Sequence, residues 1–168
     1  MDRVAGEGRG VGRAGPVGAV PDQWTLRAGP RLRFPPGLRR RLAIMVRRGY
    51  PEETCGLLLG RQAVGLVRVR ELLQARNLNR ERAGDRFLLD PQGFIRGDAL
   101  ARRLGLEIVG IWHSHPDHPA RPSATDLAAA WAGWSYMIAS VSRGGMEELR
   151  SWRLSGGAFC EEVIEDDG

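Results

Sequence analysis

One stretch in the second half of the chain constrains the fold most, because it predicts a helix with both ends marked that leads directly into a strand. Asp90 can cap a helix whose first position is Pro91, and Gly105 is suited to end it after about Leu104. Glu107–Trp112 then carries the apolar residues of a buried strand. A helix followed this closely by a strand indicates a domain in which helices pack on a sheet.

The sequence before and after this helix and strand predicts a mixed sheet with about three helices in all. Another helix is predicted over about residues 38–49, and Ser123 can begin a third that runs to about Ala132. Residues 113–122, rich in proline and histidine, are predicted to form a loop. Apolar or alternating runs predict the remaining strands over residues 31–34, 55–59, 64–73, 86–89, 135–142, 147–154 and 158–164. The predicted fold class is therefore α/β or α+β, in a single domain.

The beginning of the chain differs from its middle in composition. Residues 1–30 are rich in Gly, Arg, Ala and Pro and have no apolar period, so we expect a disordered N-terminal extension. Residues 31–165 are expected to form the folded domain, since the full length of 168 residues suits one domain of ordinary size.

The charge of the chain favours an acidic partner. The net charge is +5, and all 25 basic residues are arginine. No basic stretch interleaved with aromatic residues predicts nucleic-acid binding, and no apolar run predicts a membrane span or a secretory signal. We therefore expect a cytoplasmic protein. Cys55 and Cys160 are too few for a disulfide framework and are interpreted as buried, reduced thiols.

The histidines carry the clearest chemical signal. His113, His115 and His118 are the only histidines, and all three fall within six positions. On extended backbone, His113 and His115 point the same way because they are two residues apart. Two imidazoles on one side can occupy two corners of a tetrahedral zinc site, and an open fourth corner is typical of a catalytic site. His118 is interpreted as a solvated loop histidine.

A carboxylate from the following helix can supply the third ligand. Asp126 is the candidate, but Ser123-x-x-Asp126 also has the spacing of a capping box, and capping is at least as good an interpretation of Asp126 taken alone. The two roles are compatible, because a serine at a helix start can also face a substrate oxygen.

Other metal-binding motifs fit less well. The run from His113 to His118 matches the H-x-H-x-D-H signature of metallo-β-lactamase-type hydrolases, but no histidine follows His118 to complete such a site. The H-x-E and P-C-x-x-C elements of zinc deaminases are missing, as is the helical H-E-x-x-H of common metalloproteases.

The same segment resembles a known family. His113-Ser114-His115, followed after seven residues by Ser123-x-x-Asp126, is similar to the H-[ST]-H-x7-S-x2-D motif of the JAMM (MPN-plus, Mov34-like) metalloproteases. The resemblance covers roughly residues 31–165, and no position of the motif departs from the family pattern.

The family also requires a glutamate upstream, near an early strand that ends in glycine. The stretch Pro51-Glu52-Glu53-Thr54-Cys55-Gly56 resembles that element, and the usual spacing to Cys-Gly selects Glu53 over Glu52. The resemblance implies one Zn²⁺ per chain, with a bound water, held by His113, His115 and Asp126. It further implies that Glu53 is the general base and that Ser123 donates a hydrogen bond to the oxyanion. The implied fold is a mixed sheet flanked by helices, like that of the cytidine deaminases.

The resemblance is to the short prokaryotic members, and it implies a substrate. Such members clip the C-terminal extension after the Gly-Gly of a ubiquitin-like sulfur carrier, which is the expected reaction here, and we expect a narrow cleft that suits glycines. The alternatives are removal of a ubiquitin-like modifier from lysines, hydrolysis of phosphoesters or small amides, and a non-catalytic MPN scaffold. Such scaffolds typically lose zinc ligands, whereas this chain keeps all of them.

Overall fold

A closed barrel of seven strands forms the body of the part of the chain that the computed structural model describes, residues 29–166. In chain order the elements are β1 (Arg31–Arg33), α1 (Pro36–Gly49), β2 (Cys55–Ala63), β3 (Leu66–Ala75), α2 (Pro91–Leu104), β4 (Glu107–Pro116), α3 (Ala124–Ala129), β5 (Ser135–Ser142), β6 (Gly145–Ser155) and β7 (Ala158–Glu165). The strands follow one another around the barrel in the order β1-β3-β2-β4-β5-β6-β7. β1 closes it by pairing in parallel with both β3 and β7. The predicted α+β domain with a mixed sheet and three helices is confirmed in these residues.

Helices pack on both faces of the sheet, which explains why β2 begins with an unbroken apolar run. Leu58 packs in a cluster that includes Leu42 and Val46 of α1. Its neighbours Leu57 and Leu59 point to the opposite face, where they pack with Ala101 of α2. A strand covered on both faces has no side that favours polar residues, so the alternation expected of a half-exposed strand is missing.

Helix α2 has the bounds that the sequence predicts. Asp90 Oδ1 accepts a hydrogen bond from the backbone N–H of Gln92 at 3.0 Å, and Pro91 occupies the first position. Gly105 ends the helix in the left-handed conformation, with φ of 65°.

Two predictions around the functional segment were wrong. β4 continues to Pro116, where a loop was predicted from residue 113, because the chain keeps pairing with β5 as far as Pro116 opposite Val141. α3 ends at Ala129 and not near Ala132. The chain leaves the helix there, since the backbone N–H of Trp131 donates to the Tyr136 hydroxyl at 2.6 Å.

Two strand predictions also differ from the structure. Residues 86–89 form no strand and contribute only an isolated bridge between Asn77 and Leu89. β2 does not end at Gly60 but continues to Ala63, because Gly60 allows the backbone of Arg68 in β3 to approach closely.

The two cysteines lie in different environments. Cys55 is buried, as expected, and burial raises the pKa of its thiol to about 12. Cys160 is exposed, so the prediction of two buried thiols was wrong for this residue.

Some sequence-based expectations lie outside the described residues. The expectation of a disordered N-terminal extension concerns residues 1–30, of which residues 1–28 are not described. Within residues 29–166, no helix is both long enough and apolar enough to cross a membrane.

Candidate metal centre and its cleft

The end of β4 brings two histidines together. His113 and His115 are both buried, with 1% and 8% of their surface exposed. Because residues two apart in a strand point to the same face, both rings lie on one side, and their Nε2 atoms are 3.0 Å apart. The spacing of the two histidines predicts this arrangement even though the segment was predicted to be a loop.

The third group comes from the start of α3. Asp126 Oδ1 lies 3.3 Å from His113 Nε2, and Asp126 Oδ2 lies 3.6 Å from His115 Nε2. The same Oδ2 accepts hydrogen bonds from the backbone N–H and the hydroxyl of Ser123, at 2.6 and 2.7 Å. The backbone N–H of Asp126 donates to Ser123 Oγ at 3.1 Å, which completes a capping box. Both interpretations of Asp126 therefore hold at once: it caps the helix and faces the histidines.

The three donors fit a metal ion. Two ligands about 2.0–2.1 Å from one zinc ion at a tetrahedral angle lie roughly 3.3 Å apart. The pairs formed by His113, His115 and Asp126 are separated by 3.0, 3.3 and 3.6 Å, although the last two distances involve different oxygens of Asp126. The group could thus hold a metal ion, and two imidazoles with one carboxylate form a donor set that zinc accepts.

The orientation of the two rings is set by different contacts. His115 Nδ1 is 3.0 Å from the carbonyl oxygen of Pro119, and donating its proton there leaves Nε2 free to act as a ligand. His113 has no such partner among the described residues, because its Nδ1 is buried without a hydrogen bond. The ring of Phe87 stacks on it instead, with the ring centroids 4.5 Å apart. Phe87 is a site residue that the sequence analysis missed.

Glu53 lies beside this centre and its neighbour Glu52 does not. Glu53 is 5% exposed, with Oε1 4.0 Å from His115 Nε2, whereas Glu52 is exposed to solvent. Burial raises the pKa of Glu53 to about 7, and the nearby Asp126 carboxylate acts in the same direction. A carboxyl group with this pKa can gain and lose a proton near neutral pH.

Ser114 ties the Glu53 segment to the strand of the histidines. The Ser114 hydroxyl accepts a hydrogen bond from the backbone N–H of Thr54 at 2.9 Å, and the backbone N–H of Ser114 donates to the Thr54 carbonyl at 2.9 Å. Glu53 is thus one residue from a pair that joins it to the segment between His113 and His115. The sequence analysis assigned no role to Ser114, although its position between two candidate ligands was a signal.

The charges of the centre favour an ionised Asp126. Burial alone would raise the pKa of Asp126, but hydrogen bonds with His113 and His115 outweigh it and hold the pKa well below its usual range. Burial lowers the pKa of His113. For His115, burial acts in the same direction, but hydrogen bonds to Asp126 and to the Pro119 carbonyl raise the pKa above its ordinary value.

A cleft of about 850 Å³ opens onto the centre. Glu53, His115, Ser123 and Asp126 line it, as does His118, which is exposed at its edge as expected for a solvated histidine. Its walls are mainly apolar and include Phe87, Leu88, Phe94, Ile95, Trp131 and Trp134. The expectation of a narrow cleft at the reacting centre stays a prediction.

Comparisons with known proteins identify relatives by sequence. A family described as prokaryotic homologs of the JAB domain matches residues 35–155. A desampylase of Haloferax volcanii is 33% identical over 93 residues, which is 54% of this chain and 63%, less than two thirds, of that protein. A probable TtuB-protein conjugate cleaving protease of Thermus thermophilus is 30% identical over 79% of this chain and 82% of that protein. A CysO-cysteine peptidase of Mycobacterium tuberculosis is 31% identical over 70% and 79% respectively.

Two solution structures are similar in fold. A protein from Desulfitobacterium hafniense superimposes with a TM-score of 0.71 and 27% identity, covering 81% of this chain and 92% of that one. A protein from Salinibacter ruber gives a TM-score of 0.64 and 39% identity, covering 82% and 91% respectively.

Proposed function

The chain belongs to the family of prokaryotic homologs of the JAB domain, and from this we propose that it is a zinc-dependent peptidase acting on ubiquitin-like or sulfur-carrier proteins, which it cuts after their C-terminal Gly-Gly. The proposal rests on one observation: His113, His115 and Asp126 lie close enough together to hold a metal ion, and Glu53 lies beside them on an open cleft. The names of the relatives support the substrate class, since they describe desampylases, a TtuB-conjugate protease and a CysO-cysteine peptidase.

In this proposal His113, His115 and Asp126 hold one zinc ion per chain. When bound, zinc lowers the pKa of a coordinated water to about 7 and polarises a carbonyl oxygen. Asp126 contributes the negative charge of the donor set. His115 is kept in the ligating tautomer by the Pro119 carbonyl.

Glu53 is proposed to move the proton. It accepts a proton from the attacking water and later gives it to the leaving amine, so it must be ionised at the start of each cycle. A pKa of about 7 suits both steps, because a base is most effective when its pKa lies near the working pH.

Ser123 is proposed to stabilise the negative charge that develops on the carbonyl oxygen of the substrate. Its hydroxyl now donates to Asp126 Oδ2 at 2.7 Å. Since Ser123 is exposed on the cleft, its hydroxyl can turn towards a substrate while its backbone N–H keeps the bond to Asp126.

The cleft walls are proposed to bind the substrate chain beyond the two glycines, because Gly-Gly alone has no side chains to fill the space. Trp131, 52% exposed, packs against Trp134, which in turn stacks on Phe94 of α2. These three aromatic rings form a surface on which apolar residues next to the scissile bond can pack.

Trp131→Ala is therefore expected to raise KM by roughly 10-fold, the cost of losing one well-placed aromatic contact, while kcat changes little. Steady-state kinetics on one carrier substrate measure both constants. Val64→Ala is the matched control, because Val64 is also a strongly exposed apolar side chain, but it lies in the turn between β2 and β3. An equal change in KM in the two variants would show that the aromatic surface does not bind the substrate.

The proposed function is tested with a sulfur carrier extended past its Gly-Gly, with the cut site found by mass spectrometry. Cleavage is expected after the second glycine, and changing the penultimate glycine to a bulky residue is expected to abolish it, because only glycines pass the reacting centre without side-chain clash. The rate is expected to fall as salt rises, since screening weakens the attraction between this basic chain and an acidic carrier. Cleavage that ignores the glycine change, or that proceeds equally well on unfolded casein, would show a general peptidase.

A second candidate function is removal of a ubiquitin-like modifier from lysines, favoured by the names of two relatives and by an open cleft that admits a second protein chain. The same carrier joined by a peptide bond or by a lysine isopeptide bond distinguishes the two. A non-catalytic scaffold is disfavoured by the complete set of metal-binding groups.

We also propose which residues form the domain and where the protein acts. Residues 31–165 form the catalytic domain, and the protein works in the cytoplasm. A relation of the fold to that of the cytidine deaminases is supported by a mixed sheet with helices on both faces.

A further inference from the structure

One side chain just after β3 connects several parts of the site. The amide of Asn77 takes part in four hydrogen bonds with described residues. Its Nδ2 donates to the carbonyl oxygens of Glu53 and Arg86, both at 3.1 Å. Its Oδ1 accepts from the backbone N–H groups of Asn79 and Leu88, both at 2.9 Å. Both N–H donors and both acceptor positions of this amide are therefore in use.

These bonds take the place of a strand partner for the segment that follows β3. Residues 78–89 contain no helix or strand, yet they form one wall of the cleft. Within the segment, Arg82 N donates to Asn79 Oδ1 and Arg82 forms an ion pair with Asp85. Backbone hydrogen bonds from Glu53 N to the Ala83 carbonyl and from Leu78 N to the Leu88 carbonyl also hold it. Asn77 is the side chain that holds the segment at Arg86 and Leu88.

The residue between those two anchors is Phe87. Its ring stacks on His113, which has no hydrogen bond of its own at Nδ1 among the described residues. By holding the backbone on both sides of Phe87, the Asn77 amide fixes the ring that lies on His113. Through Nδ2 it also fixes the backbone of Glu53.

We infer that Asn77 is a positioning residue that sets Glu53 and the Phe87–His113 stack in one fixed arrangement. It touches neither the substrate nor the metal-binding groups, and it acts through the residues it holds. Its effect on turnover rests on the proposed function, whereas its effect on the histidine ring does not. An asparagine is required, because an aspartate would keep the acceptor but lose both donors.

Asn77→Asp removes the two donors of the side chain and keeps an acceptor, so it tests the donor bonds separately. The bonds to Leu88 and Asn79 can persist, while the bonds to the carbonyl oxygens of Glu53 and Arg86 are lost. We expect kcat to fall on the order of 10- to 100-fold, the usual effect of a small misplacement of a reacting group, with KM within about twofold and zinc content unchanged. Asn77→Ala loses all four bonds, so KM is expected to rise as well.

Asn79→Ala is the matched control. It removes the bond to Arg82 N within the same segment but keeps the backbone N–H that donates to Asn77. Both kinetic constants are expected to stay close to those of the unmodified protein. An unchanged kcat in Asn77→Asp, an equal loss in Asn79→Ala, or loss of zinc in Asn77→Asp would each overturn the inference.

A spectroscopic measurement tests the inference without any substrate. The chain has three histidines, so their imidazole C–H signals can be resolved by NMR in the metal-free protein, and the variants His118→Ala and His115→Ala assign all three. Asn77→Ala is expected to shift the His113 signals as the Phe87 ring leaves, while those of His118 stay in place. Unshifted His113 signals would show that Asn77 does not fix the position of the Phe87 ring. A native chain that fails to cut any carrier would instead refute the proposed function and leave this readout intact.

Discussion

Replacing Glu53 by glutamine is expected to reduce turnover by at least about 100-fold while one zinc ion per chain is retained, because glutamine keeps the size of the side chain but cannot accept a proton. The carboxylate oxygen of Glu53 lies 4.0 Å from His115 Nε2, which places it beside the metal-binding groups and outside their set. Metal analysis and single-turnover kinetics of the same preparation measure the two expected effects together.

Glu52→Gln is the matched control for that experiment. It makes the same chemical change one residue away, on a side chain that is exposed to solvent. Its turnover is expected to stay close to that of the unmodified enzyme. A similar loss from both changes would mean that the negative charge of this segment matters and the identity of the base does not. Zinc loss in Glu53→Gln would instead make Glu53 a ligand.

His113→Ala and Asp126→Asn are expected to lose zinc and, with it, measurable activity. Each change removes one of three protein ligands, and two remaining ligands are too few to hold a catalytic zinc ion firmly. Asparagine is chosen at position 126 because its amide oxygen can still accept the hydrogen bond from Ser123 N, so that the start of α3 stays capped. Zinc content after dialysis, measured by mass spectrometry, tests the expectation.

Two variants serve as controls for the metal content. His118→Ala removes a histidine that is exposed at the edge of the cleft, and Ser123→Ala removes a hydroxyl that bonds to Asp126. Both are expected to retain about one zinc ion per chain. The assignment of ligands would be wrong if His113→Ala kept its zinc, or if His118→Ala lost it.

The candidate metal ligands could be predicted because they lie close together in sequence. His113 and His115 share one face of a strand, and Asp126 lies in the first turn of the next helix, so local spacing alone suggests that they meet. Glu53 was identified only through the family resemblance, since nothing in its immediate neighbours distinguishes it from Glu52. The structure adds a reason, because one of the two side chains is buried beside the histidines and the other is exposed.

The contacts that support these residues could not be predicted in the same way. Ser114 meets Thr54 across 60 positions of sequence, and Asn77 meets Glu53 across 24. Such pairs depend on the register of β2 against its neighbours, which no local pattern specifies. The wrong prediction of a loop at residue 113 has a similar cause: the composition of the segment favours a loop, but pairing with β5 as far as Pro116 keeps it extended.

Because β1 closes the barrel, its position shows where a linker or a reporter group can be joined to the protein. Arg31 pairs with Leu66 at the start of β3, and Leu66 pairs with Ala63 at the far end of β2. The opposite end of β2, Cys55, pairs with His113. With a rise of about 3.3 Å per residue, the length of β2 puts roughly 25 Å between the two ends. A linker or a fluorescent reporter fused at Gly29 would therefore leave the barrel at the end remote from His113. Cleavage of a carrier could then be followed on an immobilised protein, or by energy transfer, with the cleft left open to the substrate.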